Sequence, residues 1–287
     1  MIICPQCHKK LEKRETLYIC PGCRYKAKIK DEIIFFNPEI TPSHSDYKKD
    51  KIEKLYKYEQ SHFWFKNRRK IIVRAIKTYV GKDKRIIEIG AGTGSIMRSI
   101  TNEGYKNVSV GEIHGNGLVY AKDYGVRNLF QFDVLRSPFK EHFDAIGMFD
   151  VIEHLSDDRK AIKESHRMLS RGGRLFITVP AHMWLWSAID KRSGHKRRYS
   201  IKNVNNLLKD NGFKIIKSKY FFSCLIPFLL FRKLLNPKTG DDRRGQGLEI
   251  GRYANLILDS LVKTEDRLLG SLNIPFGGSI LVIGEKK

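Results

Sequence analysis

Acid is in short supply in this sequence. Over 287 residues, 31 Asp and Glu face 54 Lys and Arg, a formal net charge of +23 that is spread along the chain and not gathered in one tail. Such a balance speaks to solubility and partners, and not to fold; the partner it fits is anionic, either nucleic acid or an anionic membrane face. A long apolar run is also missing. The longest, Tyr220 to Phe231, holds Pro227 and falls short of the ~20 residues that a spanning helix needs, which excludes a simple transmembrane helix. The start Met1-Ile2-Ile3-Cys4-Pro5 has no basic stretch leading into an apolar one, so no secretory signal is expected. A cytoplasmic location follows, with peripheral contact at the inner membrane face left open. No internal repeat or low-complexity tract is present. Cysteine is scarce and unevenly placed: four of the five lie in two C-x-x-C pairs near the N-terminus. In a cytoplasmic chain that pattern points to a metal and away from disulfides.

Cys4-Pro5-Gln6-Cys7 and Cys20-Pro21-Gly22-Cys23 flank Leu11 to Ile19, whose alternating character suits a short β-hairpin. Two such knuckles bring Cys4, Cys7, Cys20 and Cys23 to tetrahedral corners around a structural Zn²⁺, about 2.3 Å from each sulfur. Rubredoxin-like iron uses the same four ligands. A thioredoxin-like redox pair, by contrast, comes singly and in a βαβ setting. A module this small has too little core to fold without its metal. His8 is surplus to a complete Cys₄ set. Residues 1–36 are therefore read as a zinc ribbon, 37–50, with its Pro and Ser, as a linker, and 51–287 as one α/β domain carrying an apolar insertion at about 220–235.

That domain is organised around Ile86-Ile87-Glu88-Ile89-Gly90-Ala91-Gly92-Thr93-Gly94-Ser95, an apolar strand running into three alternating glycines and then an amphipathic helix. Strand, glycine loop and helix together form a nucleotide site. The dinucleotide pattern G-x-G-x-x-G fails at Ser95, and the phosphate-loop pattern fails for want of Gly-Lys-Ser/Thr. Glu88, two residues before the first glycine, suits a ligand with an adenosine and an amino acid end and no pyrophosphate. At this point the sequence resembles the class I S-adenosylmethionine (SAM) dependent methyltransferases of the small-molecule type, in which Glu88, Gly90, Ala91, Gly92 and Gly94 fall in the cofactor site.

Further motifs recur at the right distances. Asn107 to Glu112 forms a second strand whose closing acid stands roughly 20 residues past the loop, where a carboxylate accepts both ribose hydroxyls. Arg127 to Val134 forms a third, and the resemblance implies that Asp133 accepts from the adenine amino group while the main chain of Val134 meets the ring. Phe143 to Leu155 contains a fourth strand, and its Asp150-Val151-Ile152-Glu153-His154-Leu155 closely matches the family's motif after strand four, which adds Asp150 to the cofactor set. A helix to Leu169, a Gly172-Gly173 stop and a fifth strand ending at Pro180 follow. The fold implied is α/β: a Rossmann-like, seven-stranded, mostly parallel sheet with helices on both faces and an antiparallel last strand, plus the small N-terminal β ribbon.

Two segments are expected around the site. Apolar residues recur at helical spacing up to Val80, with Glu59, His62, Phe63, Trp64, Phe65, Arg68 and Arg69 in front of them, and in the resembled family a helix here covers the cofactor. The loop after strand five, from Ala181 to Ser200, concentrates His, Trp and Asp beyond the strand ends, where ligands bind in open parallel sheets. Methyl transfer is an in-line displacement, so alignment comes first. A base matters only when the nucleophile is protonated at neutral pH, and His154 and His195 are the candidates, with Asp190 as an orienting carboxylate. The acceptor is read as a small molecule, a glycan or a lipid-linked compound. The alternative is an RNA methyltransferase that uses the ribbon and the basic surface to hold RNA, although no Asn-Pro-Pro-Tyr-like motif follows strand four.

Overall fold

Each apolar strand read from the sequence is buried on both faces, which requires helices above and below it. The computed structural model describes residues 1–40, 49–235, 250–270, 272 and 274–287; most of the expected linker, 41–48, lies outside the described residues. Among the described residues, seven strands carry the domain: β5 (Ile86–Ile89), β6 (Val108–Glu112), β7 (Asn128–Gln131), β8 (Phe143–Phe149), β9 (Leu169–Pro180), β10 (Phe213–Phe221) and β11 (Ser279–Lys286). They lie in the order β7-β6-β5-β8-β9-β11-β10, parallel except for β11, which runs antiparallel to both its neighbours. This is the Rossmann-like sheet that the sequence implies. β11 shows how it is filled: Ile280 and Val282 face one buried cluster, Leu281 and Ile283 the other.

The ribbon strands β1 (Glu12–Lys13), β2 (Leu17–Ile19), β3 (Lys26–Lys30) and β4 (Ile33–Phe35) form an antiparallel meander. Its last strand pairs in parallel with β7, Ile33 to Leu129 and Phe35 to Gln131, so among the described residues one sheet of eleven strands runs through both parts of the chain. Phe36 follows and packs edge-on against Phe139 at 5.8 Å. Asn37, the first residue of the expected linker, is buried; its N–H donates to Gln131 Oε1 at 3.0 Å, and its Oδ1 accepts from the N–H of Asp133 at 3.1 Å.

Helix α1 (Lys49–Ser61) and α2 (Phe63–Tyr79) are separate because His62 leaves the helical conformation and its Nδ1 accepts from the Trp64 N–H at 3.2 Å, an N-cap. α2 buries Phe63, Ile71, Ile72, Ala75 and Ile76. It is strapped to α9 (Arg252–Leu269) by Asn67 to Asp259 at 2.7 Å and by a two-pronged Arg74 to Asp266 pair. With α3 (Ser95–Asn102) and α4 (Gly115–Asp123) these cover one face, while α5 (Asp158–Met168) and α7 (Ile201–Asp210) cover the other.

Three boundaries differ from the sequence reading. Gly172 adopts φ +70° within a bulge, so the glycine pair lies inside β9 and not ahead of it. Tyr220 and Phe221, assigned by sequence to the apolar insertion, complete β10. The rest of that stretch is a short turn followed by α8 (Ile226–Leu235), whose first turn accepts Pro227 because no helical partner is lost there. Among the described residues, no helix is long and apolar enough to cross a membrane.

Candidate active site

The carboxyl ends of β5, β6 and β8 meet at the glycine loop. Gly90 and Gly94 have φ of +67° and +78°, and a Cβ on them would stand 2.6 Å from Val151 and 2.7 Å from Ala121, so turn and tight packing together demand glycine. Gly92 differs, since a Cβ there would meet only Leu55 of α1 at 3.5 Å. Its φ of +57° still favours glycine, so there the turn and not tight packing demands it. The Glu112 carboxylate reaches back under the loop, accepting from the Gly92 N–H at 2.9 Å and the Ile113 N–H at 2.8 Å. Two oxygens offer about four acceptor positions, so Glu112 keeps capacity for a ligand's hydroxyls.

Glu88 lies beneath, 3% exposed, and its Oε2 makes no hydrogen bond. Burial pushes its carboxyl up to about 8, Arg68 opposing the shift and the charges of Glu59 and Glu112 adding to it. Asp133 stands at the end of β7, where its side chain caps Leu135 N–H at 2.9 Å, and Val134 beside it is buried. Ala91 is buried in the loop itself. A glycine loop at positive φ, a buried carboxyl oxygen in want of a donor, and Glu112 alongside are features that fit an adenosine-bearing ligand with a charged amino acid end.

The helices before β5 close over this loop. The Thr93 hydroxyl donates to the carboxylate of Glu59 on α1, and Arg69 donates to the Glu59 carbonyl at 2.9 Å. Burial lifts Glu59 to about 7 against the Thr93 hydrogen bond and the charges of Arg68 and Arg69. Arg68 pairs with Asp150 at 2.6 Å and lies 4.9 Å over the Trp64 ring. Asp150 ends β8 with φ +57°, a strained conformation for a residue with a side chain, and takes a 3.3 Å hydrogen bond from Thr178. Sequence reasoning gave Glu59 and Arg68 no role. The signal was there: Arg68 stands three, four and seven residues before Ile71, Ile72 and Ala75, a cation on the apolar stripe of α2.

Farther along the same edge, the turn after β8 meets the loop after β9. His154 and His195 approach to 4.8 Å between ring centres, nearly perpendicular. His195 Nδ1 is 2.9 Å from Asp190 Oδ1, the carboxylate–imidazole pair expected from the sequence. Asp190, on the short helix α6 (Ala188–Arg192), is itself buried and gripped by Arg198 at 2.8 and 3.0 Å and by the Ser187 N–H at 2.8 Å. Burial works against ionisation there, but hydrogen bonds from His195 and Arg198 hold the carboxyl down at about 2. The backbone fastens the two loops, Lys196 N–H to Glu153 carbonyl at 2.8 Å. Glu153 was quoted in the sequence motif without a role. It is fully buried, and burial together with the charge of Asp150 raises its carboxyl well above the ordinary range. Trp184 is half exposed and stacks near His182, which lies in turn on Tyr220 at 4.9 Å.

At the ribbon end the four cysteines converge as expected, with Cys4 to Cys23 at 3.5 Å and Cys7 to Cys20 at 3.3 Å between sulfurs. A tetrahedral ion with ~2.3 Å bonds separates its sulfurs by about 3.8 Å, close to this spacing. N–H groups of Gln6 and Gly22 point at Cys4 and Cys20 sulfurs, each at 3.4 Å, an arrangement that favours thiolates.

Residues 58–218 match the family described as a methyltransferase domain. The chain is 26% identical over 182 residues to the Bacillus subtilis protein YrhH, covering 58% of this chain and 93% of that one. Tocopherol O-methyltransferase of Arabidopsis thaliana is 28% identical over 109 residues, 35% of this chain and 31% of its own length. Among solved structures, phosphoethanolamine N-methyltransferase 2 of Haemonchus contortus superposes with a TM-score of 0.55 over 85% of this chain and 58% of that one; at 19% identity this bears on the fold alone.

Proposed function

We propose, from the premise that this chain belongs to the methyltransferase-domain family and is a SAM-dependent methyltransferase, that it methylates a small-molecule, glycan or lipid-linked acceptor held between the turn after β8 and the loop after β9. The observation that carries the reading is the left-handed glycine loop whose Gly92 N–H is held by the Glu112 carboxylate, with the unsatisfied Glu88 oxygen beneath it. Bound SAM supplies a methyl carbon on a sulfonium sulfur, which needs alignment with its nucleophile more than acid–base help. Glu112 accepts from the ribose hydroxyls, while Asp133 and the main chain of Val134 flank the adenine. Glu88 and Asp150 bracket the amino acid end beside Gly90, Ala91, Gly92 and Gly94. The lid made by Glu59 and Arg68 excludes water. His195, held by Asp190, and His154 serve the acceptor. In the ribbon, Cys4, Cys7, Cys20 and Cys23 hold a structural Zn²⁺.

The test is calorimetry with SAM on the wild type and Glu112→Ala. Ribose hydroxyls left without their charged acceptor cost about 1.5 to 3 kcal/mol, roughly ten- to hundredfold in affinity. Equal affinities would reject the assignment. A second reading, with RNA as the acceptor, has the +23 charge in its favour. It requires RNA binding that weakens steeply with salt in a filter assay.

A further inference from the structure

We infer that Glu153, His154 and His195 bind a divalent first-row metal ion, on which a hydroxylated acceptor docks through the oxygen to be methylated. The inference rests on the methyltransferase reading above and narrows its acceptor to a hydroxyl compound. One ligand atom from each of the three residues lies within 4.8 Å of the others. Two imidazoles and one carboxylate suit Mn²⁺, Fe²⁺, Co²⁺ or Zn²⁺ and leave coordination positions open for a substrate oxygen.

Three independent features support the site. Glu153 is completely buried, yet neither of its carboxylate oxygens makes a hydrogen bond. A buried acceptor pair without a donor is costly, and a cation is the partner that removes the cost. Two histidines would be enough for base catalysis; they leave this carboxylate unexplained. Next, His195 gives Nδ1 to Asp190 at 2.9 Å, which leaves Nε2 to coordinate. An outer carboxylate that fixes the ring of a metal-bound histidine is the usual second layer of such sites, and here Arg198 and Ser187 hold that carboxylate in turn. Finally, the two loops are locked together before any ligand arrives. Lys196 N–H bonds the Glu153 carbonyl, and Arg197 pairs with Asp158 at 2.8 Å and donates to the Leu155 carbonyl at 3.2 Å. Asp150 is not in the set, because Arg68 occupies its carboxylate.

The ion supplies what a hydroxyl acceptor lacks at neutral pH. Coordination lowers the pKa of the hydroxyl, whose proton passes to water. The resulting oxyanion forms its bond to the methyl carbon as the carbon–sulfur bond breaks, and the electron pair of that bond stays on sulfur, which becomes a neutral thioether. The metal keeps its oxidation state, and no oxidant or reductant enters.

The experiment is a Mn²⁺ titration of the full chain followed by electron paramagnetic resonance, with SAM calorimetry on the same samples. Mn²⁺ is chosen because thiolates select softer ions, so the four-cysteine cluster does not compete for it. Glu153→Gln keeps the buried shape, and His154→Ala alters an exposed side chain, so both variants are expected to fold. The wild type should bind one Mn²⁺ per chain, each variant should bind it at least tenfold more weakly, and SAM affinity should stay within about twofold in all three. Wild type that binds SAM but no Mn²⁺, or variants that bind Mn²⁺ as the wild type does, would overturn the metal site and leave the methyltransferase reading standing. A wild type that fails to bind SAM would overturn that reading itself.

Discussion

The two halves of the carboxyl edge are built in different ways. The half proposed to hold the donor, from β5 to β7, is made of backbone and acids at short, fixed distances along the chain: Glu88, the glycine loop, Glu112 and Asp133 each lie at or just past a strand end. The half proposed to hold the acceptor is made of side chains from two loops that meet only in space, with Glu153 and His154 after β8 and Asp190, His195 and Arg198 after β9. A common ligand can be served by a shared backbone pattern, whereas an acceptor that differs from enzyme to enzyme is met by loop side chains on the same frame. Arg68 joins the halves, for it reaches from the lid to Asp150 at the end of β8.

The strongest way to break the comparison is to cut that joint. Arg68 and Asp150 are both largely buried, so Arg68→Met leaves an uncompensated charge and should cost about 3–5 kcal/mol of stability in a denaturant titration. Adding Asp150→Asn should recover much of the loss. A cost below about 1 kcal/mol, the figure for a surface pair, would mean that the joint carries no weight.

The donor half tolerates little change in its backbone. Gly90→Ala places a Cβ at positive φ and 2.6 Å from Val151. The left-handed conformation costs about 1–2 kcal/mol and overpacking about 1–3 more, so a total of ~2–5 kcal/mol is expected from thermal melts. Wild-type stability in this variant would show that the loop moves freely.

These contrasts also decide what the sequence could reveal. The strand–glycine loop–helix unit and the cysteine cluster were legible because each is a short-range pattern with a fixed geometric consequence, whereas the order of the strands was not. The pairing of His195 with Asp190 was legible as well, the two being five residues apart in one loop. Glu153 was quoted without a role, since a Glu beside a His after a strand reads as an ordinary turn residue until the β9 loop is seen to bury it. Glu59 and Arg68 went unassigned for the same reason: Thr93 and Asp150 lie 34 and 82 positions away. The union of the ribbon with β7 was likewise invisible, because strand pairing across parts of a chain leaves no mark on periodicity.

A smaller effect separates the buried acids of the donor half from the rest of the molecule. Burial raises Glu59 to about 7 and Glu88 to about 8, so the folded, ligand-free protein holds protons that the unfolded chain releases near 4.5. The contribution is fully present below about pH 4.5 and is lost as pH rises through 7 and 8. Ligand-free stability should therefore fall between about pH 4.5 and pH 8 and level off above that, by up to about 1.4 kcal/mol per pH unit for each proton. Glu88→Gln should flatten the slope, and an unchanged slope would reject Glu88 as its source.

The smallest expected effect sharpens the comparison most. His195→Ala removes a side chain that lies on the far loop, tied to Asp190 and beside His154; among the described residues it makes no hydrogen bond to the glycine loop or Glu112. If the halves divide the work as described, calorimetry should find SAM affinity changed by less than about twofold, or ~0.4 kcal/mol, while turnover with a hydroxylated acceptor is lost. The Asp190–Arg198 pair remains in the variant and keeps the loop folded, so a loss of SAM affinity could not be blamed on collapse of the loop. A tenfold loss of affinity in the folded variant would place His195 in the donor site, and the division between a backbone-built half and a loop-built half would fail at that residue.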